Sequence, residues 1–254
     1  VDAHAHAGHG LTKTLGEGGL EQGWGELMEH IYYRCSTEEF WYAEAKLTGL
    51  ERLLFGVTTG VSMLGSAPRY DDLRYARAHV EGMREMGVRD ILGIGPPNPP
   101  FPKTFRHWEG GEPGDSQELG LAAALQTTRE AVEEFNDTQG GLTYCYPSPS
   151  RIGRAEELSH EDHLKTARVL KELAEEFDTP IHGHSYAGDI KYAYEELDLL
   201  GPRVFTAHVT GISQQEIEYL ADSGAWVCSG PSTTAYIRSR CPVVELLEAG
   251  ANVV

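Results

Sequence analysis

The chain has 254 residues, of which 40% are hydrophobic, and this is enough to bury one sizeable core. Its 39 acidic and 21 basic residues give a formal net charge of -18, which repels polyanions and argues against a nucleic-acid partner. No run of 18 apolar residues predicts a membrane span, and no charged start followed by an apolar core predicts a secretion signal. We therefore expect one soluble domain over residues 1–254.

The cysteines and the excess of acidic residues give some indication of the cellular compartment. The four cysteines are far apart and lack the close pairing of a zinc ribbon or a redox motif, which favours a reduced, cytoplasmic setting. The acidic excess fits either adaptation to high salt or an ordinary acidic enzyme, and composition leaves both open. It also leaves the oligomeric state open, with a homo-oligomer as one option.

Short apolar or β-branched runs alternate with longer amphipathic stretches along the chain. We expect strands at 1–6, 56–63, 90–95, 141–146, 179–184, 203–208 and 225–229, with an eighth beginning at 251–254. We expect helices at 37–54, 71–86, 118–136, 160–177, 190–200, 214–223 and 242–248. This order predicts an α/β fold, a (β/α)8 TIM barrel that starts inside its first strand and is truncated near the start of strand 8.

Local signals support several of these boundaries. Ser159 with Asp162 and Ser213 with Glu216 have the spacing of helix starts in which side chains satisfy free backbone amides. Residues 7–36 and 96–119 interrupt the rhythm and would follow strand ends, where active-site loops of a barrel lie. We expect the proline-rich run 93–105 to be a stiff extended loop and the glycine-rich run 16–25 to be a flexible one.

Two histidines close the first predicted strand. In the run Val1-Asp2-Ala3-His4-Ala5-His6 the imidazoles of His4 and His6 are two residues apart, so an extended strand directs them to one face. Imidazole nitrogen suits zinc and similar divalent ions. The pair therefore predicts half of a metal site, although two unrelated polar residues would look the same.

Further histidines end the fifth and sixth predicted strands. Pro180-Ile181-His182-Gly183-His184 places two imidazoles on one face, and His208 closes the next strand. His182 is compatible with a ligand and with a hydrogen-bonded core residue. Each strand end falls at the barrel rim where catalytic groups gather. A metal at that rim would lower the pKa of a bound water towards neutrality and supply hydroxide.

The order and spacing of these histidines resemble the signature of the amidohydrolase superfamily. The resemblance covers nearly the whole chain. It includes "LERLLFGVTTG" before the second strand, "AHVTGISQQEIEYLADSG" at the sixth, which is similar to the aminohydrolases and triazine hydrolases, and "CPVVELLEAGANVV" before the eighth. The resemblance implies one divalent metal, zinc or else iron, bound by His4, His6 and His184, with an aspartate beyond Val254 completing the site.

The same resemblance assigns His208 a catalytic role near the metal water or the substrate. Residues 140–150 contain no lysine that could bridge two metals, which favours one. Deaminases of this family usually carry a glutamate and a histidine where this chain has Ala187 and Gly211. Since alanine cannot shuttle a proton, another group must do so or the chemistry differs.

Three residues are candidates for that proton transfer, namely His208, Asp189 and His182. The expected role of Asp189 is instead a helix N-cap. His9, in the loop after the first strand, is expected to be a solvated histidine, with a contact to substrate as its alternative.

We therefore expect a metal-dependent hydrolase that cleaves a C–N bond of a nitrogen heterocycle, by deamination or a related displacement. Two alternatives stay open. "HGHSYAGDI" also resembles the strand-five segment of dipeptidase-like relatives, which implies a binuclear, amide-cleaving enzyme. Ala187 and Gly211 also fit a non-catalytic descendant that keeps the barrel and a metal site.

Overall fold

The computed structural model describes residues 1–13, 15, 23–65 and 69–254. They form two compact units, Val1–Cys145 and Tyr146–Val254, called here the first and second units. The prediction of one domain over 1–254 stays a prediction. Most of the glycine-rich segment 16–25 lies outside the described residues, so its expected flexibility also stays a prediction.

The first unit alternates strands and helices around a parallel sheet. Its elements are β1 (His6–Ala7), α1 (Trp24–His30), a π-helical turn (Ile31–Cys35), α2 (Glu38–Leu54), β2 (Thr59–Leu64), α3 (Arg74–Met86), β3 (Arg89–Ile94), β4 (Lys103–Glu109), β5 (Glu112–Leu119), α4 (Leu121–Phe135) and the beginning of β6 (Thr143–Pro147). The sheet order is β1-β2-β3-β6, and β1, β2 and β3 pair in parallel. The predicted first strand is regular only at its end, with an isolated bridge from Asp2 to Gly60 before it.

The second unit repeats the alternation. Its elements are α5 (His160–Glu176), β7 (Ile181–Tyr186), α6 (Asp189–Glu195), β8 (Val204–Thr210), α7 (Gln214–Ser223), β9 (Trp226–Cys228), α8 (Pro231–Tyr236), α9 (Val243–Glu248) and β10 (Asn252–Val253). The sheet order is β10-β9-β8-β7, with all neighbours parallel. Every predicted strand has a counterpart, so the predicted succession of parallel strands and crossover helices is confirmed.

Helix boundaries follow the predicted capping residues. The Ser159 hydroxyl accepts a hydrogen bond from the backbone N–H of Asp162 at the start of α5. At α7 the Ser213 hydroxyl accepts from the N–H of Glu216, whose carboxylate accepts from the N–H of Ser213 in return. Both predicted helix starts are therefore confirmed. The predicted helix 190–200 is shorter in the structure, because α6 ends at Glu195.

The segment predicted as a stiff extended loop, 93–105, is wrong at its end, because residues 103–105 begin β4. After the proline run, β4 and β5 form an antiparallel hairpin closed by Gly110 and Gly111, both at positive φ. Phe105 is buried, so the hairpin contributes a side chain to the core of its unit. A Gly-Gly pair between alternating strands is a strong hairpin signal, and the prolines before it obscured this.

The described part of the excursion over residues 7–36 contains secondary structure that the sequence did not predict. It contains α1 and the π-helical turn, whose Tyr32 and Tyr33 are buried. Each unit has an apolar core built from its own strands and helices. In the second unit the core includes Ile152, Leu170, Ile181, Ile190, Val204, Val209, Ile217, Leu220, Val227 and Leu246. Within the described ranges, none of the helices is both long and apolar enough to cross a membrane.

A buried charge network ties α2 and α3 to the sheet of the first unit. The Asp90 carboxylate accepts hydrogen bonds from Arg52 (3.2 Å) and Ser62 (2.5 Å) and lies 3.0 Å from Nε2 of His79. A β-carbon at Gly60 would approach the Arg52 guanidinium to 2.5 Å, so glycine makes room for it. Burial acts to raise the pKa of Asp90, but the charges and hydrogen bonds of its partners outweigh burial and hold the pKa below its ordinary value.

We expect Asp90→Asn to lower the free energy of unfolding by about 3–5 kcal/mol, because it removes the buried charge partner of Arg52 and leaves only the partly exposed Asp2. A group with a depressed folded-state pKa contributes stability above its unfolded pKa of about 3.9 and loses it as the pH falls further. The wild type should therefore lose stability more steeply than Asp90→Asn below about pH 4. Denaturant unfolding across pH measures both effects. Asp115→Asn, on the exposed strand β5, is the control and should change little; equal losses in the two variants would contradict the prediction.

Candidate functional site

The first unit brings His4 and His6 together at the start of its sheet. Their ring centroids lie 4.9 Å apart in an edge-to-face arrangement. Nδ1 of His6 lies 3.1 Å from the backbone carbonyl oxygen of Gly65, at the end of β2. Because that carbonyl can only accept, it favours a proton on Nδ1 and leaves the lone pair on Nε2. His6 is thus oriented as metal-binding histidines commonly are.

His9 is not the solvated loop histidine that the sequence predicts. Its ring stacks on His6 at 5.0 Å and meets Trp24 edge-on at 5.3 Å. Its Nε2 is shielded from solvent and has no hydrogen-bond partner among the described residues. Burial, and secondarily the neighbouring His6, lower the pKa of His9 to about 3, so the ring is neutral. His9 is therefore part of the imidazole cluster of the first unit.

A buried carboxylate shapes the turn that carries His9. Glu44, on α2, accepts hydrogen bonds from the backbone N–H groups of Gly8 (2.8 Å), Gly10 (3.3 Å) and Leu11 (2.9 Å). Gly8 has φ +94°, and a β-carbon there would lie 2.8 Å from the ring of Tyr32. The turn is thus fixed by the Glu44 carboxylate and by the close packing of Gly8 against the ring of Tyr32. Sequence reasoning missed Glu44, since a glutamate inside an amphipathic helix normally faces solvent.

The second unit places His182 and His184 on β7 and separates their environments. His184 is buried, and its Nδ1 lies 2.5 Å from the carbonyl oxygen of Ser150. As at His6, the carbonyl favours a proton on Nδ1 and leaves Nε2 as the electron donor. His182 is fully buried within the sheet. The core alternative for His182 therefore agrees with its position better than the ligand alternative does.

His208 lies beside His184 at the end of β8. The two imidazole rings stack with their centroids 5.1 Å apart and 10° between their planes. The ring of Tyr186 also stacks against His208, at a centroid distance of 6.0 Å. Burial lowers the pKa of His208, which favours the neutral ring. A β-carbon at Gly230 would lie only 3.3 Å from Nδ1 of His208, so a larger residue there would crowd the imidazole.

A backbone irregularity orients His208. Ser185 pairs with His208, but the next residue, Tyr186, pairs with Thr210, so Val209 is an extra residue in β8. His208 and Val209 have φ values of +70° and +46°. Side-chain-bearing residues rarely adopt this conformation, and a β-branched valine does so least readily. Such bulges and strained residues concentrate beside functional sites, where they redirect a side chain.

Asp189 is not the helix N-cap that the sequence predicts. Gly188 is the N-cap of α6, and Asp189 is its first residue. The buried carboxylate accepts hydrogen bonds from Nε of Arg151 (2.6 Å) and from the backbone N–H groups of Tyr186 (2.8 Å) and Arg154 (3.2 Å). Burial raises its pKa, and these partners oppose the rise. Asp189 therefore joins the loop after β6 to the end of β7.

The two departures from the deaminase pattern are neighbours in space. A β-carbon at Gly211 would lie 3.4 Å from that of Ala187, and Gly211 has φ +72°. Small residues therefore occupy both positions where acid–base side chains were expected. Neither can transfer a proton, so the prediction stands that another group does so or that the chemistry differs.

Comparison with known proteins gives matches along the whole chain. No family model matches it. It is 25% identical to 5'-deoxyadenosine deaminase of Methanococcoides burtonii over 264 residues, covering 100% of this chain and 54% of that protein. It is also 25% identical to 5-methylthioadenosine/S-adenosylhomocysteine deaminase of Syntrophobacter fumaroxidans over 265 residues, with the same coverages. The chain thus spans about half the length of the curated relatives it matches.

Solved structures match the fold at lower identity. An amidohydrolase from a Sargasso Sea environmental sample superposes with a TM-score of 0.70 at 19% identity, covering 99% of this chain and 53% of that one. Atrazine chlorohydrolase from Arthrobacter aurescens, complexed with zinc, gives 0.70 at 16% identity, with coverages of 99% and 58%. Guanine deaminase from C. acetobutylicum, with bound guanine, gives 0.73 at 15% identity, with coverages of 100% and 59%.

These matches agree with the predicted α/β fold class. The parallel strands, the crossover helices and the superposition over at least 99% of the chain confirm the TIM-barrel fold of these enzymes. The relatives and the fold agree with the histidine pattern from which the resemblance started. From these matches and this fold, the chain is similar to deaminases and amidohydrolases, in agreement with the resemblance to the amidohydrolase superfamily that the histidine pattern predicts.

Proposed function

We propose that this chain carries the catalytic barrel of a metal-dependent hydrolase that cleaves a C–N bond of a nitrogen heterocycle, by deamination or a related displacement. One observation carries the proposal: His6 and His184, in different units, each have Nδ1 facing a backbone carbonyl oxygen. This arrangement assigns the electron pair to Nε2 in both, as metal binding requires.

The proposed ligands of one divalent metal are His4, His6 and His184. The donor set is chemically suitable, because three neutral imidazoles match the nitrogen preference of zinc and leave a position open. The atrazine chlorohydrolase that shares this fold was solved with zinc, so zinc is our first choice and iron the alternative. When bound, such an ion lowers the pKa of water towards neutrality and polarises the substrate.

We assign His208 to the proton transfers. Burial lowers its pKa, which favours the neutral ring, and a neutral imidazole can accept a proton and later donate it. The bulge at Val209 lies next to the ring in β8, and the absence of a side chain at Gly230 leaves room for it beside His184. The other two candidates are less suitable: His182 is fully buried in the sheet, and the Asp189 carboxylate accepts three hydrogen bonds from the protein.

The names of the matched proteins support the substrate class. They are named for 5'-deoxyadenosine, for methylthioadenosine and S-adenosylhomocysteine, for atrazine and for guanine. All are small molecules with planar nitrogen heterocycles, and this is the substrate class that we propose here. The cytoplasmic location and a homo-oligomeric state remain predictions.

We expect the purified protein to bind about one equivalent of zinc, and His184→Ala to weaken zinc binding at least roughly tenfold, because it removes a donor atom. Elemental analysis after dialysis and calorimetric titration with zinc measure stoichiometry and affinity. His160→Ala removes an imidazole exposed on α5 of the same unit and is the matched control.

Full zinc retention in His184→Ala would contradict the proposed ligand set. Two tightly bound ions per chain would contradict the single-metal assignment and favour a binuclear, amide-cleaving enzyme. Circular dichroism of both variants checks that the fold is intact, so that loss of zinc is not loss of structure.

We expect the zinc-loaded protein to release ammonia from 5'-deoxyadenosine or guanine, or chloride from atrazine. His208→Gln should lower kcat about 10²–10⁴-fold, because glutamine cannot exchange the proton. The zinc content of this variant should remain near that of the wild type, since His208 is not among the proposed ligands. Coupled ammonia and chloride assays measure the rates, and His160→Gln serves as the control.

A zinc-loaded wild type that transforms none of these compounds would contradict the proposed activity and favour the non-catalytic alternative. Unchanged turnover in His208→Gln would leave the activity in place and remove His208 from the mechanism.

A further inference from the structure

Arg151, just after β6, has an unusual combination of one fixed and several open donors. Its Nε donates to the Asp189 carboxylate at 2.6 Å, and its side chain is about one-third exposed (34%). Among the described residues, no hydrogen-bond partner contacts its terminal nitrogens Nη1 and Nη2. The guanidinium is thus held at one edge, while its other edge presents N–H groups to solvent.

The edge of the Arg151 guanidinium that bonds to Asp189 is held in place by contacts within the second unit. Asp189 is 1% exposed and also accepts two backbone N–H groups, so its carboxylate cannot turn away from Arg151. Gly153 has φ +157°, and a β-carbon there would lie 2.1 Å from an oxygen of Asp189. Any side chain at position 153 would therefore displace the carboxylate.

The guanidinium is close to the proposed centre. Its central carbon lies 5.5 Å from the ring centroid of Tyr186, whose ring stacks on His208 at 6.0 Å. Arg151 pairs with His184 in an isolated parallel bridge, and the preceding Ser150 supplies the carbonyl at Nδ1 of His184. One short loop therefore sets both the orientation of His184 and the position of Arg151.

We propose that Arg151 is a substrate-binding residue whose terminal nitrogens donate hydrogen bonds to a carbonyl oxygen or ring nitrogen of the heterocycle. The planar fork of a guanidinium suits two acceptors on one ring edge. The Asp189 carboxylate balances its charge, so the pair is matched to a neutral heterocycle rather than to an anion. This assignment rests on the proposed function, because it takes the heterocycle to be the substrate.

Arg151→Met tests the assignment, because it keeps the length of the side chain and removes every donor. We expect KM for 5'-deoxyadenosine or guanine to rise roughly 10- to 100-fold, the loss typical of hydrogen bonds from a charged group. We expect kcat to stay within about threefold, because the bond is made equally in the ground and transition states. Equilibrium binding of the same two compounds, measured in the His208→Gln background, should weaken in parallel.

Two further variants separate binding from structure. Arg151→Lys keeps the charge and some donors and should recover part of the affinity. Arg154→Met is the matched control, because only the backbone N–H of Arg154 contacts Asp189. It should leave KM, kcat and binding unchanged.

The outcomes separate this inference from the proposed function. Equal binding by wild type and Arg151→Met, or equal losses in Arg151→Met and Arg154→Met, overturns the role of Arg151 while turnover survives. A lower melting temperature without a change in KM or binding also overturns it. Arg151-dependent binding without turnover supports the role and counts against the activity. Absence of binding to the zinc-loaded wild type overturns both.

Discussion

A backbone carbonyl facing Nδ1 of a histidine decides which imidazole nitrogen can donate electrons to a metal. This interaction occurs at His6, through Gly65, and at His184, through Ser150. Because a carbonyl oxygen only accepts, it selects the tautomer with a proton on Nδ1 and directs Nε2 away from the backbone. Both carbonyls lie in loops beside strand ends, so the geometry of these loops determines whether the histidines can bind a metal.

The second unit adds a different constraint at His208. The extra residue Val209 shifts the pairing of β8 with β7, and positive φ values at two successive residues follow from it. Each such conformation costs on the order of 1–3 kcal/mol and persists only where the surroundings hold it in place. The surroundings here are a buried Val209 and a hydroxyl chain in which Thr206 donates to Ser185 and Ser185 to the carbonyl of Ile152. Packing and hydrogen bonds in the neighbouring sheet therefore offset the backbone strain that places the His208 imidazole beside His184.

The sequence predicted the succession of elements well, because hydrophobic periodicity and capping residues are local signals. Ser213 with Glu216 marked the start of α7 correctly. The hairpin after the proline run was missed, although its Gly-Gly turn was visible. The role of Asp189 was wrong for a different reason: its partners Arg151 and Arg154 lie more than 30 residues away, so the local pattern suggested only a cap.

Some features of the candidate site could likewise be predicted from the sequence, and others could not. Histidines at strand ends could be recognised from spacing, because a strand end places its last side chain at the rim. The burial of His9 could not be predicted, because it depends on Glu44 in α2. The Glu44 carboxylate accepts hydrogen bonds from the backbone of a turn more than 30 residues earlier in the chain. The orientation of His184 could not be predicted either, because it depends on a main-chain oxygen that any residue at position 150 would provide. Contacts to the backbone leave no signature in side-chain identity.

The small residues at positions 187 and 211 limit how a proton could move in the proposed reaction. A β-carbon at Gly211 would lie 3.4 Å from that of Ala187, and neither residue carries an acid–base side chain. Asp189 lies two residues beyond Ala187, but protonating its carboxylate would break the ion pair that fixes Arg151. We propose His208 for the proton transfer instead, because burial lowers its pKa and so favours the neutral ring, which can accept a proton. Our proposals therefore separate the two roles: Asp189 fixes Arg151, which binds the substrate, and His208 transfers the proton.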